Sequence, residues 1–248
     1  MPGGGSILDD HSLSMILNRL HLPILVLMLA GALSACSRQP EEAPELPQKV
    51  MPPQVEKLCN QLYMTNSKGK RISWKSTGPI TFSLDPSFPP EFVPAIQSAM
   101  DSWNGAAGYK LFQLRGYRRA RSLPGNDTQN TIYFLNENDP ASASLRAVAK
   151  PLFQEDGTLA ATRLFTRANQ IIDADIIFNG DAHTFSTSHF HFGSYDMEGV
   201  TLHELGHALG LTHNGDPMSL MFYAELPMSF SLREIDSTSK KMLDCEYK

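Results

Sequence analysis

The stretch that most constrains this 248-residue chain is HELGHALGLTH, His203 to His213. His203 and His207 stand four apart in an apolar, helix-forming run. On a helix their imidazoles leave one face, one turn above the other. Glu204 is rotated about the axis, so its carboxylate can touch water beside whatever the two rings hold without being a ligand. Gly210 lets the chain leave the helix through a backbone conformation that side chains disfavour. That turn returns His213 towards the same point. Three neutral imidazoles with an open fourth corner form the donor set of a catalytic rather than a structural zinc. The chain has only 8 histidines, and average usage predicts on the order of 10⁻⁵ to 10⁻⁴ accidental matches to the full spacing. HExxH alone would be a weak signal. The competing reading is three histidines on a helix and loop that hold no metal.

At 42% hydrophobic and 19% charged the composition is globular, and the length suits one domain with tails. A net charge of -5 gives no basic face for nucleic acid. From Met15 the chain reads MILNRLHLPILVLMLAGALSACS. Arg19 opens it, Leu20 to Gly31 are apolar, and small residues precede Cys36, the order of an export signal. Leu20 to Gly31 span 12 residues, short of the ~20 needed to cross a bilayer, so a cleaved signal is expected. LSAC, Leu33 to Cys36, resembles the lipobox of bacterial lipoproteins. The resemblance implies cleavage before Cys36, its lipidation and attachment to a membrane. Ser37 at the next position implies outer-membrane sorting in a Gram-negative host, with periplasm or cell surface as the compartment. The alternative is a secretory signal with an incidental cysteine. Asp9 and Asp10 make a poor signal start, so Met15 is the expected first residue.

Residues 37–54, SRQPEEAPELPQKVMPPQ, have too few large apolar groups to build a core. The expected organisation is therefore a signal at 1–35, a lipidated Pro/Glu-rich tether at 36–56, and one folded domain at 57–248. Within the domain, ITFSLD (80–85) alternates as a half-buried strand, and Phe92, Ile96, Met100 and Trp103 recur at helical spacing. NTIYFLN (130–136), TLAATRLF (158–165) and IIDADIIFN (171–179) are three further strands. YDMEGVTLHELGHALG is a helix with Asp196 as N-cap and Gly210 as stop, and SLREIDSTSKKMLDC is a terminal helix with a serine cap. Cys59 and Cys245 bracket the domain. In an exported chain whose third cysteine is lipidated they suggest a disulfide, worth roughly 4 to 5 kcal/mol in the chain-entropy model. A free buried pair and an inhibitory thiolate on the zinc are the alternatives.

HELGHALGLTH with a downstream Met221 resembles the metzincin zinc endopeptidases. HNGDPMSLM, by its Asp-Pro pair and its spacing from the third histidine to the methionine, resembles the matrixins among them. SWKSTGPITFSLD and AIQSAMDSW are similar to the first strand and helix of matrixin catalytic domains, and GTLAATRLF to their substrate-binding edge strand. The likeness runs over residues 70–248. It implies an α+β fold, a small mixed twisted sheet with about three helices, in which the active-site helix is followed by a Met-turn and a C-terminal helix. It implies one catalytic Zn2+ on His203, His207 and His213, with Glu204 taking a proton from a zinc-bound water. Met221 becomes an apolar floor, and the backbone of Leu159, Ala160 and Ala161 pairs with an extended peptide. Tyr223, two after the methionine, matches astacins and serralysins and would donate to the developing oxyanion; packing under the site is its alternative. Other features depart from matrixins. Phe222 and Tyr223 stand where Tyr-Pro is common, and no cysteine-switch propeptide is present. Ala161 and Asp175 stand where two histidines of a second, structural zinc would be. Ca2+ could sit on loop aspartates, but no loop is singled out.

The expected activity is a zinc-dependent endopeptidase of extracytoplasmic proteins or peptides, monomeric and membrane-tethered through Cys36. A second reading is a membrane-anchored binding or assembly lipoprotein that keeps the fold without turnover, which the intact Glu204 argues against. A non-peptide amide substrate stays open. His183, His189 and His191 read as an aromatic loop rimming the cleft or a second metal site, and RGYRRARS (115–122) as a solvated basic loop or an anion contact.

Overall fold

Ile80, Phe82 and Leu84 are buried while Thr81 and Ser83 between them are half-exposed, so this stretch packs one strand face onto a core. The computed structural model describes residues 12–14, 52–75, 78–153, 157–188, 192–223 and 233–247. In chain order the elements are β1 (Ser12–Ser14), α1 (Pro52–Leu62), β2 (Ile80–Leu84), α2 (Val93–Ala107), β3 (Phe112–Tyr117), β4 (Thr131–Phe134) and α3 (Ala143–Ala149). They continue with β5 (Ala160–Arg167), β6 (Gln170–Phe178), the two-residue β7 (Phe185–Ser186) and β8 (Tyr195–Asp196), α4 (Met197–Ala208) and α5 (Ser237–Tyr247).

The main sheet has the order β1-β5-β6-β4-β2-β3. β3, β2, β4 and β6 run parallel, and β5 turns back antiparallel to β6. Outside β5, among the described residues, lies the three-residue β1, antiparallel, with Ser12 opposite Arg163, Leu13 opposite Thr162 and Ser14 opposite Ala161. β5 is thus the rim of the domain's sheet. The mixed sheet and the segregated helices are the α+β arrangement expected of a matrixin-like domain.

Val200 to Ala208 of α4 are buried on every side. Burial on every side, including Thr201, His203, Glu204 and His207, means that neighbouring segments enclose the helix. α2 covers one flank: Ile96, Met100 and Trp103 are fully buried, and Trp103 Nε1 donates to the Leu202 carbonyl at 3.0 Å. The exit of α4 is tied as firmly. Its last carbonyls lack intrahelical donors, yet Ala208 accepts from Trp74 Nε1 at 2.8 Å, Leu209 from Tyr247 Oη at 2.7 Å and Gly210 from Met64 N at 2.8 Å. Each donor comes from a segment far from α4 in sequence.

The expected helices are all present, and α1 and α3 add two short ones. α1 starts at Pro52, inside the stretch 36–56 expected as an unstructured tether; prolines are tolerated in a first helical turn, where their missing N–H has no partner to lose. α5 starts at Ser237 rather than near 231, and its cap is Asp236 rather than a serine: the carboxylate accepts from Thr238 N and Ser239 N at 2.8 and 3.1 Å. β3 replaces the front of the expected basic loop. Cys59 and Cys245 form a disulfide joining α1 to α5. The signal segment from Met15 onward, with Cys36, lies outside the described residues. No helix among the described residues is long and apolar enough to cross a membrane.

Candidate metal centre

Asp196 caps α4, accepting from Gly199 N at 3.2 Å. It is itself held by Arg233, whose Nη2 reaches the carboxylate at 2.7 Å. From this fixed start the helix carries His203 and His207 to the same side. At its end Gly210 has φ +94°, the left-handed region, and a Cβ there would run into the backbone of Ile72. Only glycine makes this turn at this distance from the neighbouring chain. His213 follows and closes the triad.

The Nε2 atoms of the three rings converge. They lie 2.9 Å apart for His203–His207, 3.2 Å for His203–His213 and 3.1 Å for His207–His213. Two tautomers are set by backbone: His203 Nδ1 is 2.7 Å from the Leu220 carbonyl, and His207 Nδ1 is 2.9 Å from the Leu211 carbonyl. A carbonyl only accepts, so each Nδ1 carries the proton and each Nε2 presents a bare lone pair. Lone pairs this close repel unless a cation lies among them. Tetrahedral zinc with Zn–N bonds of about 2.0–2.1 Å sets its nitrogens about 3.3 Å apart, a few tenths of an ångström from what is seen. The residues fit the ion. Among the described residues this is the one group of three or more ligating side chains that converge closely enough for a metal.

Burial keeps the rings neutral, as ligands must be. It holds His203 down at about 3, with the charge of His213 adding to it, and His213 at about 4. His207 is lowered in the same way, by burial and then by its two neighbours. Glu204 is fully enclosed, and burial pushes its carboxyl up to about 8 against the opposing hydrogen bond from Thr162. A divalent charge nearby would act in the opposite direction. Its Oε1 is buried without a hydrogen-bond partner, the sign of a group arranged for something other than the protein.

Met221 is fully buried beneath the helix. The space it takes exists because residue 206 is glycine: a Cβ there would collide with Met221 Sδ and stand 3.4 Å from Trp103 Cζ2. The turn carrying Met221 also presents the Leu220 carbonyl to His203. Asp236 braces that turn, accepting from Leu220 N at 2.9 Å and Ser219 Oγ at 3.1 Å. Tyr223 is 37% exposed, with its ring centroid 4.4 Å from that of Phe222. Leu159, Ala160 and Ala161 lie at the start of the rim strand; the Leu159 carbonyl is taken by Asn179 N at 2.8 Å.

Three rings and a carboxylate carried by one helix and its exit turn, beside a rim strand, define the metzincin type of zinc peptidase. The comparison with known families agrees: residues 143–242 match the matrixin family of peptidases. This chain therefore carries a matrixin-like metzincin catalytic domain, and the family is one of zinc metalloproteases. No curated protein matches the chain.

The other flagged residues fall elsewhere. Asp175 is a loop anchor, accepting from Gly125 N at 2.8 Å and Thr131 N at 3.1 Å, and Ala161 is packed in an apolar cluster. His183 packs edge-on against Tyr195; His189 and His191 lie outside the described residues. The basic stretch is partly neutralised, with Arg121 2.7 Å from Asp139 and Arg118 3.5 Å from Asp127. Sequence reasoning missed Thr162, whose Oγ1 donates to Glu204 Oε2 at 2.6 Å. Strand alternation could have found it, since it shares a face with the buried Ala160 and Leu164.

Proposed function

We propose that this chain is a zinc-dependent endopeptidase cleaving proteins or peptides outside the cytoplasm, exported as a lipoprotein anchored through Cys36. The observation that carries the hydrolase reading is the convergence of three Nε2 lone pairs beside a buried carboxylate with one unpartnered oxygen. His203, His207 and His213 would hold the ion, which when bound supplies a Lewis acid that acidifies water and polarises a carbonyl.

The chain's own residues do the rest. Glu204 accepts a proton from the attacking water at its free oxygen and returns it to the leaving nitrogen as the C–N bond breaks. The enclosure that raises its affinity for a proton suits both halves of that transfer. β5 offers backbone groups for strand addition to an extended peptide; the antiparallel pairing of residues 12–14 there is in keeping with such a mode. Tyr223, partly exposed just past the Met-turn, is placed in sequence to donate to the developing oxyanion.

The test uses full-length protein purified without chelator. Wild type should bind one zinc and cleave a diverse peptide pool, with both lost on chelation and restored by zinc. Glu204→Ala should keep the zinc and lose nearly all cleavage. Turnover retained in that variant would remove Glu204 from its role, and chelator-insensitive protein without metal would remove the hydrolase reading. The anchor is tested separately: Cys36→Ala should abolish incorporation of labelled fatty acid, and undiminished labelling would refute it.

A further inference from the structure

We infer that Thr162 is a positioning residue for Glu204, locking one carboxylate oxygen to the rim strand and leaving the other to handle the proton. The inference rests on the hydrolase reading above. Thr162 is fully buried near the start of β5, and its Oγ1 lies 2.6 Å from Glu204 Oε2 and 3.0 Å from the Glu204 carbonyl. A threonine hydroxyl has one hydrogen. The shorter contact has the length of an O–H···O⁻ bond, about 2.5–2.7 Å, and takes that hydrogen. Oε2 therefore has a donor, whereas Oε1 is equally buried and has none. The two oxygens are chemically alike, so it is Thr162 that makes them different.

Fixing a glutamate side chain costs rotamer entropy, and the hydrogen bond from Thr162 offsets that cost. The arrangement also joins two functions on one strand. Backbone at 161–163 is where an extended segment pairs with β5, and the side chain at 162 projects from the face of the sheet onto the base. Peptide and proton acceptor are thereby referenced to the same short piece of backbone. A strand residue unable to donate at this point would leave Glu204 free to rotate among conformers, most of them unproductive.

The test compares Thr162→Val, nearly isosteric without the hydroxyl, with Thr162→Ser, which keeps it. The substrate is a quenched fluorescent peptide that the wild type cleaves. A hydrogen bond to a charged group of this kind corresponds to roughly a 10- to 100-fold loss of kcat. Thr162→Val should show that loss with KM changed less than about 3-fold, and Thr162→Ser should recover most of it. Zinc affinity by chelator competition, and the visible spectrum of the cobalt-substituted protein, should match wild type because no ligand is touched. A crystal structure of metal-free Thr162→Val should show the Glu204 carboxylate displaced from its wild-type position, a result independent of activity. Equal kcat in wild type and Thr162→Val, equal losses in both variants, or an unmoved Glu204 would each overturn the inference. Failure of the wild type to cleave any peptide would overturn the hydrolase reading and this inference with it.

Discussion

Gly210→Ala should be among the most damaging single-methyl additions in the protein, and its cost can be dissected. Gly210 and Gly108 both have positive φ, +94° and +79°, but only Gly210 has neighbours. At Gly108, the cap of α2, an added Cβ meets nothing within 4 Å. Gly108→Ala therefore reports backbone strain alone, about 1–2 kcal/mol. At Gly210 the same Cβ would lie closer than 3.0 Å to the Ile72 carbonyl oxygen, 3.3 Å from its carbonyl carbon and 3.6 Å from Ile171 Cδ1. The first two are backbone atoms and cannot rotate away. Overpacking of this kind adds about 1–3 kcal/mol, for a total of about 2–5 kcal/mol. Moving the turn also moves the Leu211 carbonyl, which sets the His207 tautomer, and loss of such a support typically weakens metal binding about 10- to 100-fold. Urea titration with chelator present gives the stability difference, provided the m-value is unchanged; chelator competition gives the affinity. A Gly210→Ala protein no less stable than Gly108→Ala would refute the clash with Ile72 as the source of the cost.

Other outcomes follow from the same structure. The Cys59–Cys245 bond closes a separation of 186 residues, for which the chain-entropy model gives about 5 kcal/mol. Reduction, or the double serine variant, should lower the unfolding free energy from urea titration by several kcal/mol while zinc stoichiometry in the folded protein stays at one; an unmoved midpoint would contradict this. Burial depresses the folded-state values of His203 to about 3 and His213 to about 4, whereas the same rings in the unfolded chain titrate near 6.5. Below that value the unfolded chain binds more protons. Metal-free stability should fall from about pH 6.5 towards pH 4 by up to about 1.4 kcal/mol per pH unit per ring. One ring's share is offset by Glu204, whose buried carboxyl at about 8 keeps a proton that the unfolded chain releases above about 4.3. A flat denaturation profile across that range would refute it. Gly206→Ala should displace Met221 and cost about 1–3 kcal/mol, less than about 1 kcal/mol of it recovered as helix propensity; a net gain in urea stability would show that the floor has room to spare.

Much of the fold was legible because its signals are local. Ile96, Met100 and Trp103 recur with the helical period, the strand at 80–84 alternates, and the metal-binding motif contains its own helix, stop and return. β3 was less visible, since Arg115 sits in a strand whose exposed face reads like the basic loop that follows. α3 is a seven-residue helix, too short for periodicity to declare itself. Asp236 precedes Ser237 and Thr238, all three of them capping residues by type, and only the backbone shows which one faces the open N–H groups.

The sequence by itself determined the donors and their spacing: His203, Glu204, His207 and His213, with Gly210 to turn the chain. It could do so because residues within one helix and its exit are placed by covalent geometry. Tertiary structure alone decided how those groups are held. The Leu211 carbonyl beside His207, the Leu220 carbonyl beside His203, the Trp74, Tyr247 and Met64 donors on the helix end, and Thr162 on Glu204 all depend on which distant segments pack against α4. Residue type does not encode such partners, because they are fixed by the closing of one core around a buried helix.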